Sequence, residues 1–207
     1  MILRLAAALG LLTLLAGCVT PPVSETADLG DFRLGYNIVQ ANGVKQGPFS
    51  REASPAELTG ALTDALEARL GRYDGDGLYH LGVAIGGYVL AQPGLPLVYT
   101  PKSALIFEVN VYDNQTGQRL NDKPKQFTAF EGLENAAPVV GSGIVRGKEE
   151  QLANLVRNGA GQVESWLKQN PGWFVAEPGQ TRLAVSRADL RRRSAAAVSA
   201  GGAIPAN

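Results

Sequence analysis

The stretch SPAELTGALTDALEARLGRYDGDGLYHLGVAIGGYVL, residues 54–90, decides the fold. Ser54 can cap a helix, Pro55 suits the first helical position, and Glu57 completes a capping box. Apolar side chains then recur at helical spacing, which gives the helix one apolar face. Gly71 or the run DGDG at 74–77 ends the helix, and the alternation that follows predicts a strand. This stretch therefore predicts a helix leading directly into a strand.

Three further segments alternate in the same way. Residues 31–39 place Phe32, Leu34, Tyr36 and Ile38 at alternate positions, which predicts one half-buried face. Residues 104–113 predict a third strand, and a fourth strand, interrupted near Pro124, runs through 126–130. Between these last two, residues 113–118 predict a turn with glycine in its left-handed position. The small residues of the strand from 78 to 90 are expected to let a helix approach closely; they are Gly82, Ala84 and Gly86.

A second helix is predicted over 148–169, where apolar residues recur at i, i+3, i+4 and i+7. Gly159 and Gly161 disfavour a helix interior, so close packing on the sheet is the expected compensation. The order is strand, helix, three strands, helix. It predicts an α+β two-layer sandwich over residues 31–175, with a mostly antiparallel four-stranded sheet and two helices on one face.

Ahead of the domain, Leu15-Ala16-Gly17-Cys18 closes an apolar run that begins at Leu5 and is too short to span a bilayer. The tetrad resembles the lipobox of bacterial lipoproteins. The resemblance implies that residues 1–17 are a signal peptide cut between Gly17 and Cys18. It also implies a diacylglyceryl group on the Cys18 sulfur and a fatty acid such as palmitate on its amine. No Asp follows the cysteine, which favours the outer membrane, with the domain facing the periplasm.

The amino-acid composition limits the classes of protein to which the chain can belong. Lys plus Arg and Asp plus Glu number 19 each, so the clustered positive charge of nucleic-acid binders is not expected. A single cysteine allows no disulfide and no thiolate metal cluster. Residues 18–30 are predicted to be a flexible tether. Residues 176–207 are predicted to be a polar tail, disordered from about Ser194, with a short helix around 188–197 as the alternative.

The predicted domain also resembles small envelope lipoproteins of the curli-secretion and transport-auxiliary groups. The likeness is carried by Val109-Asn-Val-Tyr-Asp-Asn-Gln-Thr-Gly117, by residues 148–155, and by Trp166-Leu167. It implies a fold and a compartment, and it transfers no catalytic residue.

No motif predicts a catalytic or metal centre. His80 is the only histidine, lies on a predicted strand, and is expected to be structural or exposed. The glycine-rich segment 141–148 departs from the phosphate-loop pattern at Ser142 and Glu149. The run at 74–77 lacks the later ligands of a calcium loop and is expected to be a turn. We therefore expect no metal, no cofactor beyond the covalent lipid and no identifiable small-molecule substrate.

Two loops are candidate interaction surfaces, although each could instead pack on its own domain. One is the proline-bearing connection 91–102 and the other is the loop 136–147. Their apolar residues are Leu95, Leu97, Val98, Tyr99, Val139, Val140 and Ile144. The basic run Arg191–Arg193 is expected to lie in a solvated tail, and contact with anionic lipid or polymer is the alternative.

Three functions remain open. The first is a non-enzymatic accessory lipoprotein, anchored in the membrane and binding another envelope protein. The second is a subunit of an oligomeric secretion or transport assembly, although the three prolines of 91–102 disfavour a membrane-inserted strand there. The third is an envelope hydrolase built on paired carboxylates. Its candidate residues would be Asp74, Asp76, Glu108 and Glu134.

Overall fold

The computed structural model describes residues 28–92, 103–131, 147–176 and 178–200. Over these ranges the chain forms five strands, three α-helices and a 3₁₀ turn at Pro171–Trp173. The strands are β1 (Phe32–Gln40), β2 (Lys45–Gln46), β3 (Gly77–Val89), β4 (Ala104–Asp113) and β5 (Lys125–Phe130). The helices are α1 (Pro55–Leu70), α2 (Lys148–Lys168) and α3 (Arg187–Ser199). The predicted α+β class is confirmed.

The sheet is mixed, which corrects the prediction of a mostly antiparallel one. Its strand order is β1-β3-β4-β5, and the short β2 also pairs with β3. β1 runs parallel to β3, from the pair Phe32 and Gly77 to the pair Gln40 and Ala84, whereas β3–β4 and β4–β5 are antiparallel. The physical reason is that α1 lies between β1 and β3 in the chain, and a helical crossover returns the chain in the same direction.

Helices α1 and α2 form one layer over the sheet, as predicted. The capping box is present: Glu57 N donates to Ser54 Oγ, and Ser54 N donates to the Glu57 carboxylate. The buried face of α1 repeats every four residues, at Leu58, Leu62, Leu66 and Leu70. These residues share a core with Leu155, Val163 and Leu167 of α2 and with the inward-facing side chains of the sheet.

A third helix lies in the segment predicted to be a polar tail, so the alternative prediction of a short helix around 188–197 is confirmed. α3 packs along β1, the outermost strand of the sheet, and buries only Leu190 and Ser194. Leu190 joins a small apolar cluster with Tyr36, Ile38 and Leu78, separate from the main core. Because α3 is held largely by polar contacts, its sequence carries little hydrophobic periodicity. The prediction of two helices was therefore incomplete.

A bulge divides β1 between the two clusters. The pairing of β1 with β3 shifts register between Leu34 and Asn37. Phe32 and Leu34 consequently belong to the main core, whereas Tyr36 and Ile38 belong to the smaller cluster beneath α3. The prediction that all four share one face was wrong, because one extra residue reverses every side chain that follows it.

On the face of the sheet opposite α1 and α2, several of the described residues are exposed. Ala84 and Gly86 are exposed there, so the prediction that small residues of β3 admit a helix was wrong among the described residues. Ile106 on β4 and Phe130 on β5 are 38% and 54% exposed. Both outer strands are nevertheless protected along their free edges.

Side chains of helices provide that edge protection. On β5, Asn158 Nδ2 donates to Phe130 O at 2.9 Å and Gln162 Nε2 donates to Thr128 O at 3.2 Å. On β1, Arg187 Nη1 donates to Gly35 O at 3.0 Å, and Asn37 N donates to Ser194 Oγ at 3.3 Å. The outer strands thus hydrogen-bond to helical side chains where a neighbouring strand is missing.

The fold begins slightly before the expected end of the tether. Leu29 is buried in the main core, and Asp31 N donates to Phe174 O at 2.8 Å. Phe174 in turn packs edge-on against Phe32 and Tyr79, with ring centroids 5.1 and 4.9 Å apart. Residues 28–30 therefore belong to the folded domain.

Candidate functional site

The residues singled out for lipidation and for interaction lie outside the described residues. They are Gly17, Cys18, Leu95, Leu97, Val98, Tyr99, Val139, Val140 and Ile144. Their roles stay predictions. The same holds for Glu134 and for most of the glycine-rich segment 141–148.

Among the described carboxylates proposed for a hydrolase, Asp74 and Asp76 lie close together and Glu108 lies apart from both. Asp74 and Asp76 both bind Arg182, the latter at 3.1 Å. Glu108 lies opposite Ala84 of β3. Ala84 is eight residues beyond Asp76, so Glu108 lies about 26 Å from Asp76 along the strand. Glycoside hydrolases place their two carboxyl groups about 5 to 9.5 Å apart. No group of three potential metal ligands occurs among the described residues.

His80 has a structural role. Tyr36 N donates to His80 Nδ1 at 2.9 Å, so this ring nitrogen carries no proton. The proton sits on Nε2, which faces Asn114 Oδ1 at 3.0 Å. Burial lowers the pKa of His80, and its hydrogen bond to Asn114 only partly opposes this effect. The neutral ring therefore joins β1 to β3 and to the turn after β4.

A buried carboxylate that the sequence analysis did not single out joins α1 to α2. Glu164 is 1% exposed and accepts hydrogen bonds from Tyr73 Oη, Arg72 Nη2 and Arg69 Nε at 2.6, 2.5 and 2.8 Å. Burial favours its protonated form, but these donors outweigh burial and lower the pKa of Glu164 to about 2. Burial and the hydrogen bond to Glu164 raise the pKa of Tyr73 to about 12. All three donors bind one carboxylate, which indicates that Glu164 has a structural role in joining α1 to α2.

The lysine next to the glycine-rich segment is also engaged. Lys148 Nζ lies 2.5 Å from Glu57 Oε1, linking the starts of α1 and α2. This hydrogen bond, with those from Ser54, lowers the pKa of Glu57 to about 2. Two acidic residues, Glu149 and Glu150, occupy the first turn of α2. Acidic side chains there disfavour an anionic ligand, which agrees with the failure of the phosphate-loop pattern.

The basic run in α3 is paired with neighbouring residues. Arg191 lies 3.7 Å from Asp64 and 4.0 Å from Glu67 on α1. Arg192 pairs with Asp189, and Arg193 Nη1 donates to Tyr36 Oη at 3.3 Å. These residues belong to a folded helix and not to a disordered tail, although the side chains of Arg191 and Arg192 stay largely exposed to solvent.

A cleft of 370 Å³ separates α1 from α3. Its floor is formed by alternate residues of β1, namely Gly35, Asn37 and Val39. Small side chains form much of its walls, including Ala56, Thr59, Gly60, Thr63, Ser194 and Ala195. No local sequence pattern predicts this cleft, because it forms between two helices that lie far apart in the chain.

Comparisons with known proteins add no functional assignment. No family model matches the chain, and no curated protein matches it. Among solved structures, a Xanthomonas campestris protein of the DUF330 family aligns at 12% identity and a TM-score of 0.40, covering 71% of this chain and 90% of that protein. A minor lipoprotein of Acinetobacter baumannii aligns at 15% identity and a TM-score of 0.29, covering 61% and 92%. Neither is described as a curli-secretion protein. Similarity at this level leaves function to be argued from the chain itself.

Proposed function

We propose that the chain is a lipid-anchored lipoprotein of the bacterial cell envelope, with an α+β binding domain in the periplasm and no reaction of its own. The observation that carries the proposal is the tetrad Leu15-Ala16-Gly17-Cys18 at the end of a short apolar run. Two or more acyl chains on Cys18 would make attachment effectively permanent, at about 0.8 kcal/mol per buried methylene.

The position of the folded domain fits this anchor. Leu29 is already buried in the core, so only about ten residues separate it from Cys18. An extended chain of that length reaches at most about 36 Å. The domain would therefore stay close to the membrane surface. No helix among the described residues is long and apolar enough to cross a bilayer.

The polar groups of the domain favour binding over catalysis. His80 uses its two ring nitrogens to join β3 to β1 and to the turn after β4, and Glu164 accepts from three side chains that link α1 to α2. A general acid or base needs a proton position open to substrate. We propose the membrane and another envelope protein as partners, with loops 91–102 and 136–147 as candidate contacts.

Metabolic labelling tests the anchor. Bacteria expressing the full chain are grown with an alkynyl fatty acid, and the membranes are separated by density. We expect the wild-type chain to carry label in the outer-membrane fraction and Cys18→Ser to carry none. Thr20→Ser, two positions further on, serves as the matched control and should label like the wild type. An unlabelled, soluble wild-type product would contradict the proposal.

The open face of the sheet supports an alternative function, a subunit of an oligomeric secretion or transport assembly. Ile106 and Phe130 expose apolar surface on neighbouring strands, a feature of protein contact sites. Crosslinking the lipidated protein in its native membrane distinguishes the two functions. A ladder of crosslinked copies that disappears in Ile106→Ser would favour the assembly, whereas a monomer with one heterologous partner would favour the accessory role.

A further inference from the structure

The segment between Cys18 and the domain joins the fold beside Phe174. Asp31 N donates to Phe174 O at 2.8 Å. Gly30 lies so close to the same oxygen that a Cβ on Gly30 would be 2.6 Å from it. The chain that leads to the proposed anchor therefore leaves the domain next to Val175, the residue that follows Phe174.

A second exposed apolar side chain, Leu183, is held at the same end of the domain. Arg33 Nη2 donates to Leu183 O at 3.0 Å. Gln180 Nε2, three residues before Leu183, donates to the Asp31 carboxylate at 3.0 Å. Leu183, like Val175, therefore lies beside the start of β1.

Trp173, Val175 and Leu183 form one apolar patch, which we call the tether-end patch. All three residues line the same surface cavity. Val175 is 60% exposed and Leu183 is 41% exposed, whereas Trp173 is half-buried. Tryptophan is enriched where proteins meet the boundary between membrane and water. Grouped, exposed apolar side chains of this kind mark contact sites for membranes or proteins.

The charges around the tether-end patch do not favour an anionic surface. Among the described residues beside the patch, aspartates outnumber arginines. The aspartates are Asp28, Asp31, Asp74, Asp76 and Asp113, and the arginines are Arg33 and Arg182. Anionic lipid attracts clusters of Lys and Arg, so a contact with lipid at this end must be made by the apolar side chains.

We propose that the tether-end patch rests in the interface of a zwitterionic phospholipid bilayer, so that the domain stands on the membrane by the end from which its tether leaves. The inference deepens the proposed function, because it rests on the anchor at Cys18. The ten residues of the tether keep the patch within about 36 Å of the bilayer. A short linker raises the local concentration of the patch at the bilayer to the order of millimolar, so a weak apolar contact is sufficient.

This orientation turns the opposite end of the sheet towards the periplasm. Strand β3 spans 13 residues, or about 40 Å. Phe49 and Phe130, which are 60% and 54% exposed, lie at the far end of the sheet from the tether-end patch. A protein partner that contacts them would therefore do so about 40 Å from the bilayer.

A fluorescent label next to the tether-end patch tests the proposal. Thr181 is exposed and lines the same cavity, so Thr181→Cys leaves the patch itself intact. The full chain is purified with its lipid, which blocks the Cys18 sulfur, and the new thiol is labelled with a nitrobenzoxadiazole dye. We expect aqueous iodide to quench this label several-fold less in phosphatidylcholine vesicles than in the lipid-free mature chain carrying Cys18→Ser. A nitroxide on the lipid chains should quench it only in the vesicles.

A second label position serves as the control for orientation. Asn42 is exposed just beyond the end of β1, at the far end of the sheet. A label on Asn42→Cys should be quenched by iodide equally well with and without vesicles.

Substitutions in the patch separate membrane contact from anchoring. In the chain labelled at position 181, Val175→Asp should restore iodide quenching to its lipid-free value, while the protein stays lipidated and bound to vesicles. Phe49→Asp, at an equally exposed position on the opposite end, is the matched control and should leave the label protected. Circular dichroism should be the same in both variants, because neither side chain belongs to the core.

Four results would overturn the proposal. They are equal quenching at position 181 with and without vesicles, and protection of position 42 instead. Protection only in vesicles that contain phosphatidylglycerol would show a contact made by charge. Protection already present in the lipid-free chain would show that the chain itself covers the patch. A wild-type chain that carries no lipid would contradict the proposed function, whereas an unprotected label on a lipidated chain contradicts this inference alone.

Discussion

Arg187 of α3 and Glu67 of α1 form a two-pronged ion pair, in which Nε and Nη2 of the arginine each donate to one carboxylate oxygen. The remaining nitrogen, Nη1, donates to the main-chain oxygens of Leu34 and Gly35 on β1. One guanidinium therefore ties the last helix to the first helix and to the first strand. Bidentate pairs of this kind are among the stronger polar contacts in proteins.

The first prediction concerns this attachment. Arg187→Ala should lower the free energy of unfolding by about 2 to 3 kcal/mol, because it leaves Glu67 and two main-chain oxygens without their donor. Urea unfolding measures the effect, and limited proteolysis should show earlier cleavage within α3. Arg192→Ala is the control on the same helix: its pair with Asp189 is largely exposed, so the expected change is below about 0.5 kcal/mol. Equal losses in both variants would refute the role of Arg187.

The second prediction concerns Glu164, the buried carboxylate that joins α1 to α2. Glu164→Gln should lower the free energy of unfolding by about 2 to 3 kcal/mol at neutral pH, because the buried donors lose a charged acceptor. The folded-state pKa of Glu164 is about 2, below its ordinary value of 4.5. The contribution of the Glu164 charge to the free energy of unfolding is therefore fully present above pH 4.5, and it is lost as the pH falls towards 2.

Unfolding measured at several pH values tests this expectation. The difference between the wild type and Glu164→Gln should shrink between pH 5 and pH 2. Glu149→Gln, exposed in the first turn of α2, should cost only about 0.3 to 1 kcal/mol. A difference that stays constant with pH would show that Glu164 does not act through its charge.

The third prediction concerns His80. Burial lowers its pKa, so the unfolded chain binds the proton more readily than the folded one. The free energy of unfolding should therefore keep its full value above pH 6.5, the pKa of histidine in the unfolded chain. It should decrease as the pH is lowered from there, by at most about 1.4 kcal/mol per pH unit. Because the chain has one histidine, its NMR titration gives the folded pKa directly. A value at or above 6.5 would contradict the buried, neutral ring.

The fourth prediction compares two glycines in α2. A Cβ at Gly159 would lie 2.9 Å from Phe107 Cε1, whereas at Gly161 the nearest atom, in Arg69, lies at 3.8 Å. Gly159→Ala should destabilise by about 1 to 3 kcal/mol, because the buried Phe107 ring must move. Gly161→Ala should stabilise by about 0.5 to 1 kcal/mol through helix propensity. Thermal unfolding of both variants measures the contrast, and changes of the same sign would contradict it.

These glycines also illustrate what the sequence could predict. It placed both inside the second helix and predicted close packing for both, and the structure confirms close packing on the sheet only for Gly159. Helix α1, helix α2 and strands β3 to β5 followed from capping residues and periodicity, because each buries one regular apolar face. Such elements can be predicted because a regular apolar pattern in the sequence becomes a regular buried face in the fold.

Other features depend on contacts that no local pattern reports. The parallel pairing of β1 follows from the α1 crossover, and the β1 bulge reverses Tyr36 and Ile38 without any change in alternation. Helix α3 is held by Arg187 and Ser194, and the edge groups that they bind belong to residues about 150 positions earlier. The α1–α3 cleft could not be predicted from the sequence, because it depends on these long-range contacts.

The intact mass of the protein is the sharpest test of the proposed membrane anchor on Cys18. The full chain is expressed in a bacterium, extracted from the membrane fraction and weighed by mass spectrometry. We expect a chain that begins at Cys18, with residues 1–17 absent and the added mass of a diacylglyceryl group and an amide-linked acyl chain. A product that begins elsewhere, or that retains Cys18 as a free thiol, would contradict it.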